Sequence, residues 1–153
     1  SNVVSTFISV ELSPPFKTTF SETSLLIFWT VEINSAASFN CSTKDSFFDL
    51  VIFGFCLYLC DRKDLEKISN EATRVLKNKS WIIIMDFFSK QPKVNNYHHL
   101  DGIKSYKCDY RSIFDDTIFT CFSHKVLDHS NYSFTEEENN WISVSSLRKK
   151  NDE

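Results

Sequence analysis

The stretch FFDLVIFGFCLYLCDRKDLEKISNEATRVLKNKSWIIIMDFF, Phe47 to Phe88, decides the fold. Asp49 to Leu59 is almost uniformly apolar, with Leu50, Val51, Ile52, Phe53, Phe55, Cys56 and Leu57 and no polar alternation. Such a run fits a strand buried on both faces, as in a parallel sheet covered by helices. Gly54 lies near its end, where a chain leaving a sheet often needs a close backbone approach or an unusual dihedral. Asp61 is placed to cap a following helix, and Asp64 adds negative charge to its first turn. The spacing predicts that helix over 61–77, with Leu65, Ile68, Ala72, Val75 and Leu76 on one face. Lys63, Glu66, Lys67, Glu71 and Arg74 lie elsewhere, and Lys77 and Lys79 put positive charge at the C-terminal end. Trp81 to Phe88 is the next buried strand. A strand, helix and strand of these lengths form a right-handed crossover unit.

These residues resemble the fourth strand, following helix and fifth strand of class I S-adenosylmethionine-dependent methyltransferases, most closely the type 11 small-molecule branch. NYHHLDGIKSYKCDY (Asn96 to Tyr110) and WISVSSLRK (Trp141 to Lys149) are similar to a bacterial subgroup of that branch. The resemblance is specific because strand, helix, strand and YHH tract occur in order. Asn78-Lys79-Ser80 departs from the family, which usually has a Pro-Gly-Gly-like turn there. The implied fold class is α/β, a Rossmann-like and mostly parallel methyltransferase sheet ending in an antiparallel hairpin. Residues 1–150 read as one partial domain, with a divergent or degraded part over 1–45 and a well-matched part over 46–150.

In the N-terminal part, Phe7 to Leu12 (FISVEL) reads as a strand ending in an acid. By resemblance it is the second strand, whose carboxylate accepts both ribose hydroxyls of the cofactor, and Glu11 matches that position. An ionised carboxylate offers two acceptor oxygens to a vicinal diol; the alternative is a solvent-exposed strand end. Ser24 to Ile33 then matches the third strand, with Glu32 a weak candidate beyond it. The family's first strand sits between the second and fourth, followed by a glycine-rich loop, and no glycine precedes Gly54 here. The expectation is therefore a chain whose first strand and loop lie upstream of Val3, or a degraded copy.

Thr117 to Asp128 and Asn139 to Leu147 alternate apolar and polar residues, as an antiparallel pair at a sheet edge does. Ser130 to Asn140 reads as the surface connection between them. With 153 residues the chain has room for one core, and at net charge −3 its bases are interspersed with acids. This composition argues against a nucleic-acid partner. No apolar run reaches bilayer length without a charge, so no membrane partner is expected. Five cysteines in mostly apolar segments read as reduced core residues of a cytoplasmic protein. A zinc site from Cys56, Cys60, His98 and His99 is disfavoured because Cys56 falls at a strand end. The fifteen phenylalanines read mainly as core.

In open α/β sheets, ligands sit beyond the carboxyl ends of the strands. That rule gathers Glu11, the Gly54-Phe55-Cys56-Leu57-Tyr58 turn and the Asp86-Phe87-Phe88 exit on one rim. The resemblance implies S-adenosylmethionine as cofactor, with Glu11, Gly54, Phe55 and Tyr58 around it. Tyr97, His98, His99 and Tyr106 lie in an insertion placed to fold over the rim. The tyrosines are candidate acceptor contacts and the histidines candidate proton acceptors. The implied reaction is methyl transfer to a small-molecule or sugar acceptor. The alternative is an inactive methyltransferase-like module serving as a scaffold or partner subunit. A nicotinamide-binding domain of the same architecture fits less well, given the aromatic turn after Gly54 and the C-terminal hairpin.

Overall fold

The computed structural model describes the backbone of residues 26–29 together with residues 44–98 and 101–151. Glu11, Glu32, His99 and the Phe7 to Leu12 strand lie outside the described residues. Among the described residues a five-stranded sheet has the order β1 (Leu26–Trp29), β2 (Phe48–Gly54), β3 (Leu76–Phe87), β7 (Trp141–Lys149), β6 (Phe119–Asp128). Strands β1, β2 and β3 run parallel, and helix α1 (Leu65–Val75) joins β2 to β3. Strand β7 is antiparallel to both β3 and β6, as the alternating pattern predicts. Between β3 and β6, β4 (Lys93–Asn96) and β5 (Lys104–Lys107) form a separate antiparallel hairpin.

One strand departs from its expected place. Leu26–Trp29, the described part of the Ser24 to Ile33 segment matched to the third strand, pairs directly with β2, Ile27 opposite Val51, in the place the resemblance gives to the first strand. Among the described residues β1 is the outermost strand of the sheet, and its apolar LIFW run suits pairing within a parallel sheet.

The core lies on one face of the sheet. Val51 and Phe53 of β2 and Ile82 and Ile84 of β3 pack with Ile68, Ala72 and Val75 of α1, all of them buried. A 3-10 turn at Tyr110–Ile113 adds Tyr110, with Phe114 just beyond it, and Leu147 of β7 completes the layer. The helix is shorter than expected. It ends at Val75, and Leu76 opens β3 while remaining fully buried. Neither Asp61 nor Asp64 makes a side-chain cap hydrogen bond; a 3-10 turn (Arg62–Asp64) leads in instead, with Asp64 N bonded to Asp61 O.

The other helix end is capped from two directions. An α-helix leaves its last carbonyls without intrahelical donors. Here Ser46 N donates to Arg74 O (2.9 Å) and Phe47 N to Val75 O (2.8 Å). Lys149, from the far end of the chain, donates its buried Nζ to Thr73 O and Leu76 O, both at 2.8 Å. The last strand thus ties down the C-terminus of the only described α-helix. Two residues expected inside are not. Cys121 and Phe122 are exposed, Phe122 packing edge-on against Trp81.

Where the family usually has glycines, Lys79 takes φ 58°, and the β2–β3 pairing is irregular between Phe48 and Leu50. A left-handed conformation costs an L-residue about 1–2 kcal/mol, partly offset by glycine's greater unfolded entropy. Lys79→Gly is therefore expected to raise stability by about 0.5–1 kcal/mol. A urea midpoint that moves down would contradict this reading of the turn.

Candidate functional site

Strand β2 leaves the sheet at Gly54, and Phe55 N still continues the ladder to Met85 O at 2.8 Å. The unusual dihedral expected at Gly54 belongs to Phe55, at φ 49°. For a bulky residue this is a true outlier, of a kind that concentrates at functional sites. Among the described residues, a Cβ placed on Gly54 would meet nothing within 4 Å. The chain then closes into a 3-10 turn, Leu57–Leu59.

Two charged side chains bracket that turn. Asp86, near the end of β3, accepts from Cys56 N (3.2 Å), Leu57 N (2.9 Å) and Tyr58 N (3.3 Å) on Oδ2. Its Oδ1 accepts from Phe87 N at 2.8 Å. On the carbonyl side, Arg62 Nη2 donates to Leu57 O (2.7 Å) and Cys60 O (2.8 Å). The Arg62 guanidinium lies 4.1 Å from the ring centre of Tyr106 and 5.4 Å from that of Tyr110. One carboxylate thus takes the turn's amides while one guanidinium takes its carbonyls.

Electrostatics follow from burial. Asp86 is completely buried, and desolvation outweighs its four amide donors, pushing the carboxyl from 3.8 up to about 7. Burial raises the Cys60 thiol to about 12 and pushes Cys56 well above its usual range. Both thiols stay protonated, and Cys60 Sγ donates to Cys56 O at 3.3 Å. The Tyr58 phenol is raised first by burial and then by Tyr97 beside it.

Aromatic rings line the same rim. Tyr58 packs against Phe87 (4.9 Å between ring centres) and Tyr97 (6.2 Å). Phe55 and Phe87 are 5.4 Å apart, and His129, following β6, contacts them at 5.8 and 5.2 Å. Lys107 Nζ sits 5.1 Å from the Phe87 ring centre, and burial followed by the Lys93 charge lowers its pKa. The hairpin insertion therefore does lie against the Leu57–Leu59 turn, through β5 and Tyr97.

Of the residues singled out from the sequence, Gly54, Phe55, Tyr58 and Tyr97 come together. Tyr106 lies under the Arg62 guanidinium, and His98 is exposed at the turn of the hairpin. Sequence reasoning did not single out Arg62, His129 or the role of Asp86. The signal for Asp86 was present: one acid inside the apolar run WIIIMDFF must find several donors if that strand is buried. His129 carried none, because its neighbours come from β2 and β3. A separate open cleft of about 480 Å³, lined by Asp109, Arg111, Phe114 and Phe119 among others, lies at the opposite, amino end of the sheet.

A family model described as "Methyltransferase domain" matches residues 1–84, more than half of the chain. The chain belongs to that family. The match includes the whole segment ahead of β2. No curated protein matches the chain. A solved S-adenosylmethionine-dependent methyltransferase from Methanosarcina mazei has 14% identity and TM-score 0.59, covering 92% of this chain and 74% of its own. The 1,6-didemethyltoxoflavin-N1-methyltransferase of Burkholderia thailandensis, solved with 1,6-didemethyltoxoflavin and S-adenosylhomocysteine, has 12% identity and TM-score 0.56. That match covers 71% of this chain, which spans only 47% of the Burkholderia protein. A methyltransferase from Mesorhizobium loti has 10% identity and TM-score 0.52, covering 74% of this chain and 67% of its own. At these identities the solved structures establish the Rossmann-like methyltransferase fold, and S-adenosylmethionine is the family's methyl donor, as the sequence resemblance implies. No described helix is long and apolar enough to cross a membrane.

Proposed function

We propose that this chain, as one domain over residues 1–150, takes part in cytoplasmic methyl transfer from S-adenosylmethionine to a small-molecule or sugar acceptor. One observation carries the reading. The aromatic turn after β2 is strapped at the carboxyl end of parallel strands, with no described atom crowding Gly54, where α/β sheets take their ligands. The donor supplies a methyl group on a sulfonium, which an acceptor displaces in line. The protein's task is then chiefly to align the two in a dry pocket. Glu11 would hold the ribose hydroxyls, with Gly54, Phe55 and Tyr58 flanking the donor. Tyr97 and Tyr106, both in the hairpin insertion, would stand on the acceptor side. His98 and His99, which lie between β4 and β5 in sequence, are the proposed proton acceptors for a hydroxyl or amine acceptor.

The test is calorimetric titration of the full-length protein with S-adenosylhomocysteine. Micromolar binding is expected, weakened about tenfold by Tyr58→Ala through loss of an aromatic wall. No heat of binding up to millimolar ligand would count against methyl transfer.

A further inference from the structure

We propose that Asp86 is a positioning residue for donor binding, setting the conformation of the Cys56–Tyr58 backbone and hence the rim that Phe55 and Tyr58 present. This inference rests on the proposed methyl transfer, though its effect on the backbone stands without it.

Burying a carboxylate is costly, and a strand as apolar as β3 has no packing need for one. Ile82 and Ile84, on the same face of β3, are nearly or fully buried hydrophobes. What Asp86 provides there is acceptors. Its Oδ2 gathers three successive amides from Cys56, Leu57 and Tyr58, while Oδ1 takes Phe87 N. Three amides converging on one oxygen fix the orientation of consecutive peptide units, which a hydrophobic residue cannot do. The turn follows directly on Phe55, held at φ 49°, and ends where Arg62 takes Leu57 O and Cys60 O. The ionisable groups of the turn that face Asp86, Cys56, Tyr58 and Cys60, are held protonated, as is Tyr110 across the core. The amides are thus what the carboxylate holds. Asparagine keeps the shape, but its NH2 replaces one acceptor with a donor, leaving an amide of the turn or of Phe87 unpaired.

The experiment compares wild type with Asp86→Asn at pH 8 in three measurements: hydrogen exchange of the Cys56, Leu57 and Tyr58 amides, S-adenosylhomocysteine affinity, and melting temperature. Expected is exchange faster by about tenfold or more and affinity weaker by a similar factor, with a melting temperature unchanged or higher. Weaker binding without lost stability is what a merely structural residue would not produce. Unchanged exchange would overturn the proposal, as would unchanged affinity in a wild type that binds. So would a melting temperature that falls in parallel with affinity. If wild type does not bind S-adenosylhomocysteine, methyl transfer fails as the function. The exchange rates then decide alone whether Asp86 sets the turn.

Discussion

Ile68→Asp is expected to destabilise the protein by about 5 kcal/mol or more, enough to unfold a domain of ordinary stability. Ile68 is only 1% exposed and sits at the centre of the α1 face against the sheet. Two costs add. Removing the aliphatic side chain leaves part of its volume unfilled among Val51, Ile82 and their neighbours, and the new carboxylate has no donor there. Ile68→Val separates the two, since it removes one methylene without a charge and should cost about 1 kcal/mol. Chemical denaturation of both variants checks the pair. A thermal midpoint for Ile68→Asp equal to wild type would show that this face of α1 is not in the core.

The second large effect is in pH. A carboxyl whose folded pKa is raised stabilises the fold fully below its unfolded value and ceases to do so as pH rises through the folded value. For Asp86 that window runs from about 3.8 to about 7. Between pH 5 and 8 the folded protein should lose about 2–3 kcal/mol from this group alone. His124 acts in the opposite direction. Burial lowers its pKa, so its share of stability is lost as pH falls. Asp109, Asp115 and Asp128 are held below the usual carboxylate range and remain ionised throughout the window. The difference between wild type and Asp86→Asn cancels these groups. It should favour wild type near pH 5 and vanish or reverse at pH 8. Parallel stability curves for the two proteins across that range would mean that Asp86 is not buried as a neutral acid.

The rim was legible only in part. Gly54, Phe55 and Tyr58 are local to the strand exit, and a strand that stops at its carboxyl end places them by connectivity alone. Tyr97 was legible because its insertion follows β3 and had one nearby surface to cover. The positive φ went to the wrong residue. Glycine tolerates that conformation most cheaply, but hydrogen bonds to Met85 and Asp86 on either side dictate where the chain turns. Asp86 reads locally as a strand-exit acid, and its three amide partners lie 28 to 30 residues earlier in the chain.

What the sequence determined by itself was the β2-α1-β3 unit and the β6-β7 hairpin. Both rest on periodicity, a property of neighbouring residues that repeats whatever the rest of the chain does. The tertiary structure alone decided which strand stands beside β2, because all-apolar strands carry no alternation to mark a central place from an edge. It also decided that Lys149 closes the helix and that His129 joins Phe55 and Phe87 at the rim. Those contacts join residues 73 to 76 positions apart, or loops from separate strands, and are formed by packing rather than by any local preference.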